Sequence, residues 1–266
     1  MPVQLAFEAL GDGPPVVILH GLFGAGRNWT HVAQSLAGQH RVYLPDARNH
    51  GASAWAETMS YTDMAADVLA LIERERLQRP FIIGHSMGGK TAMALALGLE
   101  APEAIGGIAV IDIAPVSYAD QFSSYVSAMR SLDLAAVNSH SEIRRALADS
   151  LVGEAPVDFL MQNLRRHQDR FDWRLNLMAT AVCMHELCGF PKALQRARYD
   201  GPTIFISGAE SDYVDSDALA GIRRLFPCAE FERIADAGHW VHADQPTALL
   251  CGLHDWLGEA RACTPP

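Results

Sequence analysis

Nothing constrains this chain more than Gly84-His85-Ser86-Met87-Gly88 and its two flanks. Phe81-Ile82-Ile83 before it is a short apolar run of the kind that forms a strand buried on both faces. Gly89-Lys90-Thr91-Ala92-Met93 after it opens a stretch rich in Ala, Leu and Met, residues that lose little on entering a helix. A chain that passes from buried strand to helix in so few residues must turn sharply. Glycines at 84 and 88 leave room for that turn, since larger side chains would collide across it. Residue 86 then projects from the apex, with the unpaired N–H groups of the helix start behind it. A serine so placed is a candidate nucleophile, and the N–H of Met87 is a candidate donor to a developing oxyanion.

The same alternation of strand and helix runs along most of the chain. Strand-like runs fall at residues 3–8, 16–19, 41–44, 80–84, 104–113, 203–207 and 229–234. Helical periodicity places Met64, Val68, Leu71 and Ile72 on one face of residues 61–76, and residues 90–99 read as a further helix. Alternating elements of this kind imply a mostly parallel sheet with helices on both sides. From Tyr118 to about Arg198 the rhythm breaks. Apolar residues there follow helical spacing, punctuated by Pro115, Pro156 and Pro191, and no strand is expected. The chain therefore divides into a core of residues 1–114 and 201–266 and a helical insertion at 115–200. The insertion is expected to cover the carboxyl edge of the sheet, where open α/β sheets bind ligands.

Two further segments complete a possible acyl-transfer site. His20-Gly21-Leu22-Phe23-Gly24 follows the strand at 16–19, where the N–H of Leu22 could join that of Met87 as the second oxyanion donor. His20 itself reads as a buried histidine that shapes the loop. Ala237-Gly238-His239-Trp240-Val241-His242 follows the last strand, and a serine nucleophile needs a base that titrates near neutrality. His239 fits that role by its preceding glycine and late position; His242 is its rival. No metal-binding spacing such as His-Glu-x-x-His occurs, and the chemistry calls for no cofactor.

Strand, elbow serine and late histidine together resemble the α/β-hydrolase superfamily over nearly the whole chain. Leu19-His20-Gly21-Leu22-Phe23-Gly24, Pro45-Asp46-Ala47-Arg48-Asn49-His50-Gly51, Gly84-His85-Ser86-Met87-Gly88-Gly89-Lys90 and Asp112-Ile113-Ala114-Pro115 narrow it to YbfF-type bacterial esterases and the related abhydrolase-domain proteins. The resemblance implies an α/β fold with about eight strands, a helical cap inserted after the sixth, and hydrolysis of acyl esters or thioesters. It also bears on the acid that orients His239. The superfamily's usual slot, Gly-x-x-Asp-x-x-Val, reads Gly208-Ala209-Glu210-Ser211-Asp212-Tyr213-Val214 here, with Ser211 in the acid's place and Asp212 one residue late. The branch it resembles uses the earlier Asp112 instead, with a serine such as Ser211 assisting. Asp112 is thus the favoured acid and Asp212 the alternative. Acyl transfer to an alcohol, perhydrolysis and C–C bond hydrolysis could use the same residues, and a non-catalytic ligand-binding role is the reading furthest removed.

Composition sets the remaining bounds. Of 266 residues, 49% are hydrophobic and 20% charged, as in ordinary globular chains. A net charge of −10 argues against a nucleic-acid partner and leaves a small-molecule ester or thioester as the expected one. Residues 115–200 are charge-neutral, so the rest carries 21 acids against 11 bases. No run approaches the roughly 18 apolar residues that span a bilayer. Met1-Pro2-Val3-Gln4-Leu5 has neither a signal-peptide nor a transit-peptide pattern, and five cysteines (Cys183, Cys188, Cys228, Cys251, Cys263) suggest no disulfide framework. A cytoplasmic monomer or weak homodimer is the expectation. For substrate contacts, Phe122, Tyr125, Met129, Phe159, Met161, Trp173 and Met178 could line an acyl pocket. Arg165-Arg166-His167 with Arg170 and Arg174 forms a basic stretch on one helix that could attract an anionic leaving group such as coenzyme A, though the interleaved Asp169 and Asp172 favour an ordinary solvated face.

Overall fold

A computed structural model describes residues 1–137, 139–151, 156–168 and 170–262. Asp169 and Cys263 therefore lie outside the described residues. The sheet strands before the insertion are β1 (Phe7–Leu10), β2 (Pro15–Leu19), β3 (Arg41–Pro45), β4 (Phe81–His85) and β5 (Gly107–Ile111). Helices α1 (Thr30–Leu36), α2 (Tyr61–Arg74) and α3 (Met87–Gly98) lie between them. The insertion carries α4 (Ser123–Ser131), α5 (His140–Ser150), α6 (Val157–Met161), a hairpin of β6 (Leu164–His167) and β7 (Arg170–Trp173), α7 (Leu177–Val182) and α8 (Met184–Cys188). The chain then returns through β8 (Thr203–Gly208), α9 (Ser216–Leu225), β9 (Ala229–Ile234), α10 (Val241–Asp244) and α11 (Pro246–Ala262).

Among the described residues the main sheet has seven strands in the order β1-β3-β2-β4-β5-β8-β9. Only β1 runs antiparallel, against β3. Side chains alternate strictly between two cores. Val17, Ile82, Ile108, Val110 and Phe205 face α2 and α3, while Val16, Ile18, Ile83, Ala109 and Ile206 face α1 and α11. Burial on both faces is why these strands read as continuous apolar runs. Every residue of α3 from Met87 to Leu97 is buried, so this helix, which begins three residues before the expected 90, forms the axis of the molecule.

Three expectations need correction. Among the described residues the sheet has seven strands rather than about eight, because residues 1–6 bond to α2 and to loops instead of extending the edge. Val3 N–H donates to Asp67, Ala6 N–H to Ser53 Oγ, and the Ala6 carbonyl accepts from Asp46 N–H. The insertion accordingly follows the fifth strand, not the sixth. Within it, Arg165-Arg166-His167 and Arg170 lie on strands rather than on a helix. The period-two spacing of Phe171 and Trp173 carries that signal: Trp173 is buried, whereas Arg165 pairs with Asp172 across the exposed hairpin.

A buried ammonium helps to stitch the insertion to the core, beside bonds such as that from Tyr61 Oη to the Leu187 carbonyl. Lys90, on α3, donates from Nζ to the carbonyls of Val116 (2.8 Å), Cys188 (3.2 Å) and Gly189 (2.5 Å), which flank the insertion's two ends. The ammonium also sits 4.7 Å from the centre of the Tyr118 ring. Burial pulls the Lys90 pKa down to about 7, while the three carbonyls demand a donor. Lys90→Met strands those acceptors and is expected to lower stability by about 1–3 kcal/mol in urea unfolding; an unchanged midpoint would deny the ammonium this role.

Candidate active site

The register of β4 and β5 brings the candidate serine and acid together. His85 and Ile111 are the last paired residues of these neighbouring strands, and Ser86 and Asp112 are the next residue of each. Ser86 N–H donates to the Ile111 carbonyl at 3.0 Å, and Asp112 N–H to the Ile206 carbonyl at 2.8 Å. Both take left-handed backbone, with φ of 52° at Ser86 and 50° at Asp112. Such strain in non-glycine residues concentrates at functional sites. The elbow depends on its glycines, since a Cβ on Gly84 would lie 2.2 Å from the Gly88 carbonyl oxygen.

Asp112 is fully buried and receives three hydrogen bonds. Gly208 N–H donates to Oδ1 at 3.0 Å; Ser211 Oγ (2.5 Å) and His239 Nδ1 (2.7 Å) donate to Oδ2. Because Nδ1 carries the hydrogen given to the carboxylate, neutral His239 presents a free lone pair at Nε2. Asp212 is exposed. The residue in the acid's usual slot, Ser211, thus reaches Asp112, so β5, β8 and β9 contribute to one cluster.

Three other histidines fix the surroundings as buried neutral groups. Ala47 N–H donates to His20 Nε2 at 2.9 Å, which requires the hydrogen on Nδ1, and Nδ1 donates to the Gly21 carbonyl at 2.8 Å. His20 thereby ties the Leu22 loop to the loop after β3, and burial lowers its pKa. His85 Nε2 donates to the main-chain carbonyl of His239 at 2.8 Å, and burial holds its pKa well below the usual value. His242 stacks on Trp29 with ring centres 4.4 Å apart, and its pKa falls to about 4 through burial and the neighbouring His239.

Ser86, His239 and Leu22 border a cavity of about 200 Å³. Its wall includes Trp29, Phe122, Tyr125, Phe159, Tyr213 and Trp240, and among the described residues none that lines it is Lys, Arg, Asp or Glu. Of the proposed pocket residues, only Phe122, Tyr125 and Phe159 reach it. Met129, Met161 and Trp173 are buried inside the insertion, and Met178 is 59% exposed on the outside. The sequence reading missed Tyr213, whose ring stacks on His239. Its signal was its place two residues beyond the acid's usual slot.

The fold and this edge-of-sheet constellation define a hydrolase architecture, and comparison agrees. Residues 14–246 match the family model for the alpha/beta hydrolase fold, and the chain belongs to that family. It is 37% identical to the sn-1-specific diacylglycerol lipase ABHD11 of Danio rerio over 96% of this chain and 83% of that one. It is 31% identical to the esterase YbfF of Escherichia coli over 93% of this chain and 94% of that one. A solved marine microorganism esterase superposes with a TM-score of 0.90 at 32% identity, covering 96% of this chain and 99% of that structure. The chain is an esterase- and lipase-like α/β hydrolase.

The buried imidazoles predict acid sensitivity. His50, pushed down to about 3 by burial and by His20, and His242, at about 4, take up protons more readily when unfolded. Stability is therefore full above the unfolded value of about 6.5 and falls as pH drops toward 4. Each such histidine contributes up to about 1.4 kcal/mol per pH unit across that window. Urea unfolding at pH 7, 6 and 5 should show the decline, lessened in His242→Phe; a flat profile would contradict it.

Proposed function

We propose that the chain is a serine hydrolase of neutral carboxylic esters that works through an acyl-enzyme. The observation that carries this is the 2.7 Å bond from His239 Nδ1 to a fully buried carboxylate, beside an elbow serine on the same cavity. Ser86 Oγ attacks the ester carbonyl as His239 Nε2 takes its proton, and Asp112 holds the imidazole's tautomer and stabilises its cation. The N–H groups of Leu22 and Met87 receive the oxyanion. His239 then protonates the departing alcohol, and afterwards activates the water that releases the acid.

The described part of the wall carries no Lys, Arg, Asp or Glu, which favours neutral substrates, because a buried charge needs an opposite charge beside it. The adjoining outer cavity holds Arg144, but Asp158 already pairs with it at 2.7 Å. The names of the diacylglycerol lipase relatives fit this reading, since a diacylglycerol is an uncharged ester. Support for a coenzyme A thioester weakens, because the arginine-rich stretch lies on an exposed hairpin with Arg165 paired.

Ser86→Ala should abolish hydrolysis of p-nitrophenyl butyrate and labelling by a fluorophosphonate probe; full turnover in a clean preparation would refute the assignment. Asp112→Asn should lower kcat by about 10³–10⁴, by analogy with other triads, while Asp212→Asn stays near wild type. The reverse pattern would move the acid to Asp212. On the substrate side, p-nitrophenyl butyrate should exceed mono-p-nitrophenyl succinate in kcat/KM by at least about tenfold, the effect of roughly 1.4 kcal/mol. Equal turnover of the anionic ester would exclude an uncharged acyl site.

A further inference from the structure

We propose that Tyr213 is a positioning residue for His239, its ring face holding the imidazole in the plane from which Nε2 serves the serine. The inference rests on the reading of His239 as the general base.

The hydrogen bond to Asp112 restrains the imidazole at a single atom, Nδ1, and leaves the ring free to swing about that contact. A flat surface packed against the ring removes the swing. The Tyr213 ring lies 4.1 Å from the His239 ring, centre to centre, at an interplanar angle of 23°. Its two other ring neighbours are looser: His85 at 4.8 Å between centres and tilted by 41°, and Trp240 at 6.1 Å and 58°. An aromatic face also stabilises a cation over it by about 0.5–2 kcal/mol, and the imidazole becomes a cation only as the serine loses its proton. Tyr213 would therefore act mainly on the chemical step.

The backbone of Tyr213 is held independently of its side chain. Its carbonyl accepts from Tyr118 Oη at 2.6 Å, and its N–H donates to Ser211 Oγ at 3.3 Å. Tyr118 Oη in turn accepts from Ala114 N–H at 2.9 Å, and the Lys90 ammonium sits against the Tyr118 ring. The base of the insertion thus aims Tyr213, and Tyr213 aims His239. Substituting the ring leaves these main-chain bonds available, so its loss can be read apart from collapse of the loop. Burial and the nearby Asp112 carboxylate raise the Tyr213 pKa, which keeps the phenol neutral beside the imidazole.

Steady-state hydrolysis of p-nitrophenyl butyrate by Tyr213→Leu, Tyr213→Met and Tyr213→Phe, with thermal midpoints measured alongside, tests the proposal. In the Leu and Met variants kcat should fall about tenfold, the effect of roughly 1.4 kcal/mol, with KM within about twofold. Tyr213→Phe, which keeps the ring, should recover kcat to within about threefold of wild type. Unchanged kcat in the Leu variant, or a loss confined to KM as for a mere cavity wall, would overturn the proposal. So would a Phe variant as impaired as Leu, which would assign the effect to the hydroxyl. If the Leu variant does not fold, the Met variant supplies the same comparison. Fluorophosphonate labelling of wild type but not Ser86→Ala separates the two levels: without it the serine-hydrolase reading fails, and with it a negative Tyr213 series removes this proposal alone.

Discussion

A carboxylate without any exposed surface, that of Asp112, is the demand around which this molecule is arranged. An ionised group removed from water must find donors within the protein, because a missing one costs kilocalories. Asp112 finds three, and they come from separate places: Gly208 at the end of β8, Ser211 in the loop beyond it, and His239 after β9. The loops at the carboxyl edge of the sheet converge on this group. The geometry needed for acyl transfer is thus also a geometry required by burial.

The sheet supplies the other half of the arrangement. Parallel pairing ends together at His85 and Ile111, so the two residues that follow are neighbours before any loop is built. Both then turn through left-handed backbone, which separates their side chains from the strands that delivered them. On the opposite side of the elbow, α3 is buried from Met87 to Leu97, and its Lys90 bonds to both ends of the insertion. Rigid elements carry the reacting groups. The insertion supplies the aromatic wall through Phe122, Tyr125 and Phe159.

How much of this the sequence discloses depends on the range of the interaction. The elbow is local: strand, glycine-bounded turn and helix lie within a dozen residues, and steric room alone dictates Gly84 and Gly88. His239 is recognisable because its chemistry leaves few candidates. The partner of His239 is another matter, since Asp112 lies 127 residues away and only the family resemblance favours it over Asp212. The pairing of β5 with β8, and of β8 with β9, brings Asp112 to the ring. The hairpin at Leu164–Trp173 was obscured because arginines suit a helix face as well as an exposed strand, and only Phe171 and Trp173 betray the two-residue period. Tyr213 is marked only by its place two residues beyond the acid's usual slot, because stacking itself leaves no mark in the pattern of neighbouring residues.

The division of labour between Asp112 and Ser211 has a physical logic of its own. Ser211 occupies the position where the wider superfamily places its acid, and its hydroxyl now lies 2.5 Å from Asp112 Oδ2. A second carboxylate at that point would face the first at hydrogen-bonding distance in a buried site, where both cannot remain ionised. One would hold a proton, and the bond that orients His239 would lose part of its charge. A hydroxyl avoids the conflict: it donates to Asp112 while accepting from Tyr213 N–H, so the vacated slot becomes a support for the acid on the neighbouring strand. A carboxylate after β5 and a hydroxyl on the β8 loop are therefore mutually compatible, as two carboxylates would not be. Asp212, one residue further on, faces water.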